Sequence, residues 1–280
     1  MHSASHHRGK GVAIPSLLYA EPIRLAIAEQ FPEYRFVTDL PAKLALQFRE
    51  RTSELALISP LEYAKESSLY RLIPNIAVSS RKGTGNVLLS FNQGLKTIRT
   101  LAADPNYSFE VVLALLILAE HYESRPKILL HSGDTASMLS VADAALVIRT
   151  GVVSESDYQD SLDVISLWND MYELPVVIGL LACLEGAVSE KEFHILSQLG
   201  AMIDESVQQN AKARDDTFWT DEQLEETARH QYLASFSYRL EEPELDSLRE
   251  FFRLAYYHGI LKDIPDIRMY SPEQPQFSHN

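Results

Sequence analysis

Residues 79–86 read Ser-Ser-Arg-Lys-Gly-Thr-Gly-Asn. Glycines at Gly83 and Gly85 let successive backbone N–H groups converge on an anion. Arg81 can fork onto a carboxylate, and Lys82 adds a point charge. Thr84 and Asn86 supply a hydroxyl and an amide. The chemistry this pattern supports is recognition of a small carboxylate. The competing reading is a solvated hairpin turn, because Gly-Thr-Gly between two strands is ordinary turn chemistry. The segment is no Walker loop, since the GxxxxGK[ST] pattern is absent. Ser16 and Ser59 each follow a short apolar run, which puts them in the right kind of position to share a mouth with this loop.

Other reactive side chains are less informative. Asp215-Asp216, Glu225-Glu226 and Glu241-Glu242 read as solvated helix faces and turns. His121, His194, His230 and His258 fall in helix-like stretches without an HExxH pattern, and no GxSxG elbow occurs. His2, His6 and His7 could meet a metal, but a frayed polar tail is the expected state of such a terminus. A single cysteine, Cys183, excludes a disulfide framework, a CxxC zinc site or an iron–sulfur cluster within one chain. No metal site is read from these residues.

The charge balance narrows the partners. The 280 residues carry 25 basic and 39 acidic side chains, a net charge of −14. That field opposes nucleic acid and anionic membranes. A small anion bound at a local basic site remains compatible with it. The longest apolar runs, 111–119 and 174–184, fall far short of the ~20 residues of a spanning helix. The N-terminus lacks the apolar region of a signal peptide. The expected location is the cytoplasm, with no membrane partner, and a homodimer is compatible with the composition.

The elements that must position these groups alternate between strand and helix. Gly11-Val12-Ala13-Ile14 reads as a first strand, and Pro22 opens a helix. Tyr34-Arg35-Phe36-Val37 alternates as a strand, and Pro41 starts a helix with Leu44, Ala45 and Phe48 at helical spacing. Leu55-Ala56-Leu57-Ile58 is a buried-strand run, and Ser59-Pro60 opens another helix. Strands follow at 76–78, 87–91, 127–130 and 144–148, with a helix around 109–122, and Leu174–Ile178 comes next as part of an apolar core run. The last hundred residues turn helical, over 191–210, 221–229 and 244–258, with Thr220 and Gln223 spaced as a capping box and Gly259 as a stop. This alternation predicts an α/β fold with a mainly parallel sheet, and ligands beyond the carboxyl ends of its strands.

Five segments in order resemble a known family: Pro15-Ser16-Leu17-Leu18-Tyr19-Ala20-Glu21-Pro22, Leu57-Ile58-Ser59-Pro60-Leu61-Glu62-Tyr63-Ala64, Ala142-Asp143-Ala144-Ala145-Leu146-Val147-Ile148, Trp168 followed by Leu174-Pro175-Val176-Val177, and Tyr238-Arg239-Leu240 through Gly259-Ile260-Leu261. Together they are similar to the menaquinone-biosynthesis family of the futalosine route, most of all to its chorismate dehydratase branch. A sibling branch makes dihydroxynaphthoate. The resemblance runs from about residue 11 to 270.

It implies a type II periplasmic-binding-protein-like α/β fold with a ligand cleft between two lobes. Lobe one would take residues 10–84 and 174–280, lobe two residues 85–173, with loose tails at 1–9 and 271–280. It also implies a hydro-lyase that converts chorismate to 3-enolpyruvylbenzoate without a cofactor. The alternative on the same scaffold is a non-catalytic cytoplasmic protein that binds or senses a small carboxylate. The site motifs depart from the family pattern. Tyr19 stands where an asparagine is usual and Asn86 where a serine is usual. The family's Ile-Gly-Asp after the Ala-Asp-Ala-Ala strand is Ile148-Arg149-Thr150 here, an acid lost and a cation gained. Ser108 approximately matches a helix that usually opens Ser-x-Thr-Ser. The candidates are therefore Tyr19 and Asn86 as catalytic substitutes, with Ser16, Ser59, Arg81, Gly83, Thr84, Ser108 and Arg149 as substrate-binding residues.

Overall fold

The computed structural model describes residues 10–152, 161–212 and 221–272. The histidine-bearing tail, Asp215-Asp216, Thr220 and residues 273–280 lie outside the described residues.

The first half of lobe one alternates as its hydrophobic pattern requires. Its elements are β1 (Gly11–Pro15), α1 (Glu21–Gln30), β2 (Arg35–Asp39), α2 (Pro41–Arg49), β3 (Leu55–Ile58), α3 (Pro60–Lys65) and β4 (Tyr70–Ser80). Pro22, Pro41 and Pro60 all sit in the first turn of their helices, where the missing N–H leaves no intrahelical bond unmade. Every residue of β1 and β3 is buried. Strands covered on both faces read as continuous apolar runs rather than alternating ones, which is why these two were visible in the sequence.

Lobe two follows without interruption: β5 (Val87–Phe91), β6 (Thr100–Ala103), α4 (Ser108–Tyr122), β7 (Lys127–Leu130), α5 (Thr135–Leu139), β8 (Ala144–Ile148), β9 (Leu162–Asp163) and α6 (Val164–Tyr172). The chain then returns to lobe one as β10 (Val176–Leu184) and ends in α7 (Glu190–Lys212), α8 (Asp221–Leu233) and α9 (Glu242–Tyr257). Sheet one has the order β2-β1-β3-β10-β4, and sheet two the order β7-β6-β8-β5-β9. The fold is a mixed α/β structure of two lobes.

Two expectations change. The sheets are mixed rather than mainly parallel. β1 runs parallel to β2 and β3, and β6 parallel to β7 and β8, but β10 is antiparallel to both β3 and β4, and β5 to both β8 and β9. These antiparallel strands are the ones that enter from the other lobe. Residues 81–86 are also not a hairpin turn, because β4 and β5 belong to different sheets. The segment is one of two crossings between the lobes. Asn169 ties the crossings together, its Nδ2 donating to Ser80 O (3.2 Å) and to Leu174 O (2.8 Å).

The C-terminal segments cover the open side of β4. Ser79 and Ser237 exchange backbone hydrogen bonds of 2.9 and 2.8 Å, and Leu72 pairs with Arg268 and Tyr270. An edge strand so covered offers no free ladder to another chain. Glu241-Glu242 is more than a solvated turn: Glu241 and Glu244 form the capping box of α9, and Glu244 is buried. Cys183 lies inside sheet one, and burial pushes its thiol up to about 12, an inert state.

Helix α7 approaches the backbone of β4 closely at Gly200. A Cβ there would lie 2.1 Å from Asn75 O and 2.6 Å from Tyr238 O. Both obstacles are main chain and have little room to yield. Gly200→Ala should lower stability by about 2–3 kcal/mol, read as a lower urea midpoint at unchanged slope.

Candidate functional site

The lobes meet at Tyr19, on the single helical turn Leu18–Ala20, and Glu110, in the first turn of α4. These two residues line both of two small cavities. One, of about 30 Å³, is completed by Pro15, Ser59, Glu62 and Ser108 among others. The second, of about 20 Å³, is completed by Thr84, Asn86, Arg149 and Phe236 within a largely apolar wall. Each has room for roughly one water, so the cleft is closed. Its walls come from the carboxyl ends of β1, β3 and β8 and the entering ends of β5 and β10. That is the edge where a parallel α/β sheet binds ligands.

The second cavity holds polar atoms that the fold leaves unpartnered. Thr84 Oγ1, Asn86 Oδ1 and Arg149 Nε are buried without a hydrogen-bond partner among the described residues. Such atoms are rare inside proteins and call for an explanation. Their backbones are held firmly. Arg149 N donates to Asn86 O (2.8 Å), and Asn86 Nδ2 donates to Arg149 O (2.7 Å) and Gly151 O (3.1 Å). Among the described residues no acid pairs with Arg149.

Glu110 is the group that sequence reading missed. It is 7% exposed and forms no ion pair among the described residues. Burial pushes its carboxyl up to about 7, only partly opposed by a hydrogen bond from its own backbone N–H. The signal was present: one acid interrupts an otherwise apolar stretch, Phe109-Glu110-Val111-Val112-Leu113. Tyr19 is half-buried against Phe236, with ring centroids 5.8 Å apart, and its carbonyl accepts from Tyr238 Oη (3.2 Å). Burial raises its phenol well above the ordinary range, with the nearby Glu110, Tyr232 and Tyr107 adding to the effect. Glu62, the other acid of the cleft, is gripped by Arg49 at 2.7 and 2.8 Å.

The remaining candidates are dispersed. Ser59 caps α3, its hydroxyl accepting from Glu62 N (3.3 Å), and lines the first cavity with the exposed Ser108. Ser16 is exposed and lies in a separate surface groove with Leu18, Glu21 and Arg24. Arg81 is exposed, 3.5 Å from Glu244 and outside both cavities. Gly83 also lies outside them, packed so tightly that a Cβ would meet Ser166 Oγ at 2.2 Å. The backbone N–H of the loop serves an internal anion. Asp163 caps α6 through Ile165 N (2.8 Å) and Ser166 N (3.0 Å) while accepting from Gly85 N (2.6 Å). Among the described residues, no group of three His, Cys, Asp or Glu side chains is placed to hold a metal ion, and no helix is long and apolar enough to cross a membrane.

Residues 12–257 match the family described as menaquinone biosynthesis. No curated protein matches the chain in sequence. Among solved structures, a protein from Archaeoglobus fulgidus is similar at 17% identity and a TM-score of 0.64, covering 91% of this chain and 100% of its own. The periplasmic aliphatic sulphonate binding protein of Escherichia coli is similar at 13% identity and a TM-score of 0.55, over 98% and 95% of the two chains. A Candida albicans protein with the generic periplasmic binding protein fold matches at 11% identity and a TM-score of 0.59, over 92% of each. At these identities the likeness shows the fold alone.

The raised Glu110 carboxyl makes a stability prediction. The folded chain holds this proton more tightly than the unfolded one, so Glu110 lowers stability as pH rises from about 4.5 to about 7. Glu110→Gln removes that loss. The variant should gain about 3 kcal/mol over the parent at pH 8 and little at pH 4, by urea unfolding at both pH values.

Proposed function

Given that the chain belongs to the menaquinone biosynthesis family, we propose that it is a hydro-lyase that dehydrates chorismate to 3-enolpyruvylbenzoate in the futalosine route. The observation that carries this reading is the buried trio of Thr84 Oγ1, Asn86 Oδ1 and Arg149 Nε, unpartnered in a closed and mostly apolar cleft. Chorismate has one carboxylate on an unsaturated ring and a second on its enolpyruvyl ether. Arg149 can fork onto one carboxylate, with the Thr84 hydroxyl and the Asn86 amide as neighbours. The apolar wall suits the ring. Ser59 and Ser108 lie at the far end of the cleft, within the reach of a second polar group. Tyr19 stands between the two ends and would set the ring's position.

The reaction removes a proton from the carbon bearing the enolpyruvyl ether and hydroxide from the next carbon, and the ring becomes aromatic. It needs positioned proton transfer and exclusion of water more than it needs an electrophile. A cleft that shuts to cavities the size of a water provides the exclusion. The reading requires the lobes to part for entry, and the two crossings beside Asn169 are where that motion would turn. We place the activity in the cytoplasm.

A second reading, a carrier or sensor of a small carboxylate, is favoured by Tyr19. A bulky phenol fills the position where the family usually has an asparagine. Incubation with chorismate, with 3-enolpyruvylbenzoate followed by chromatography, separates the two. Turnover supports the lyase; calorimetric binding without turnover supports the carrier; neither would overturn both. Arg149→Ala should weaken chorismate binding by about 1.5–3 kcal/mol, and an unchanged titration would remove Arg149 from the site.

A further inference from the structure

Resting on the proposed dehydration, the geometry points to Glu110 as the acid–base group that moves both protons of the elimination. Among the described residues two acids line the cleft, Glu62 and Glu110. Glu62 is held on both oxygens by Arg49. Of these two acids only Glu110 borders both cavities; it is buried in the first turn of a helix and has no cation paired with it among the described residues. A ligand spanning the two cavities has to pass it.

The stereochemistry of the substrate suits a single carboxyl group. The ether and the hydroxyl of chorismate are trans on adjacent carbons, so the departing proton and the departing hydroxyl share one face of the ring. The two oxygens of one carboxylic acid can reach both. One oxygen gives its proton to the hydroxyl, and the carbon–oxygen bond breaks with its electron pair to release water. The other oxygen takes the ring proton, and the electrons of that carbon–hydrogen bond complete the aromatic ring. Glu110 ends protonated as it began, and no other reactant is needed.

The surroundings favour the protonated start. The titratable neighbours of Glu110 are the phenols of Tyr19 on the Leu18–Ala20 turn and Tyr107 before α4, with Tyr232 of α8 close to Tyr19 and Asp104 close to Tyr107. Glu62 of α3 is neutralised by Arg49. Arg149 after β8 is the cation of the second cavity, and a bound carboxylate would take up its charge. Burial has already moved Glu110 to about 7, and a dianionic substrate moves it further up. Binding should therefore draw in a proton near neutral pH.

The full chain and its Glu110→Gln variant test this. Turnover of chorismate is followed from pH 6 to 9, and binding of 3-enolpyruvylbenzoate is measured by calorimetry at pH 7.5 in two buffers of different ionisation enthalpy. The expected result is a loss of turnover of about 10²–10⁴-fold in the variant, with product affinity at pH 6 kept within about threefold. The parent should take up a fraction of a proton on binding and the variant none. The parent's kcat/KM should fall about tenfold per pH unit above its pKa. A variant that turns over within tenfold of the parent, or a parent that binds product with no proton uptake, overturns the role of Glu110 and leaves the dehydration standing. A parent that does not turn over chorismate overturns the dehydration itself, and with it this role.

Discussion

The molecule depends on one strand that comes home. β10 leaves lobe two and inserts between β3 and β4, antiparallel to both. Eight of its nine residues are buried. Without it β4 has no partner connecting it to the rest of sheet one, and α7, which packs on β4, loses its floor. The insertion also forces the two interlobe crossings to run side by side. Asn169 reads that arrangement directly, with one amide bonded to a carbonyl of each crossing. The edge of the sheets that faces the cleft is fixed by the same event, because the entering ends of β5 and β10 line up with the leaving ends of β1, β3 and β8.

Much of this was legible before the structure. Continuous apolar runs marked β1, β3, β8 and β10, and prolines marked the starts of α1, α2 and α3. The order of five weak motifs pointed to the family and to a two-lobed fold. Direction was not legible, since an apolar run is the same read either way; hence the expectation of a mainly parallel sheet. β9 was also missed, because a two-residue strand carries no period. The 79–86 loop shows the limit of local reading most clearly. Its glycines and cations have the composition of an anion cradle. What fills part of that cradle is Asp163, seventy-eight residues beyond Gly85, and no local pattern announces such a pairing. Glu110 was legible in principle as the acid that interrupts the apolar stretch 109–119, but its meaning lies in the closed cleft around it.

The electrostatics of the cleft run against those of the surface. In a chain of net charge −14, surface acids pair with arginines on α9, where Arg249 and Arg253 each hold acidic neighbours. Inside the cleft, among the described residues, one cation and one acid line the same cavity without joining. Arg149 and Glu110 both line it, and neither forms an ion pair among the described residues. An ion pair there would satisfy both groups and leave little for a ligand. Keeping them apart costs stability, which the buried sheets on either side can sustain, and it leaves a charge and a proton available where the lobes meet.

The closed cleft has a kinetic consequence. Cavities of about 30 and 20 Å³ admit water and nothing larger, so a ligand meets a binding surface only in molecules whose lobes have already parted. Apparent affinity is then the intrinsic affinity scaled by the fraction of open molecules. The rate of capture at low ligand is then the collision rate scaled by that same fraction, and at high ligand it levels off at the rate of opening. Long-range repulsion between an acidic protein and an anionic ligand slows collision, so it acts on the first of these regimes and leaves the plateau untouched.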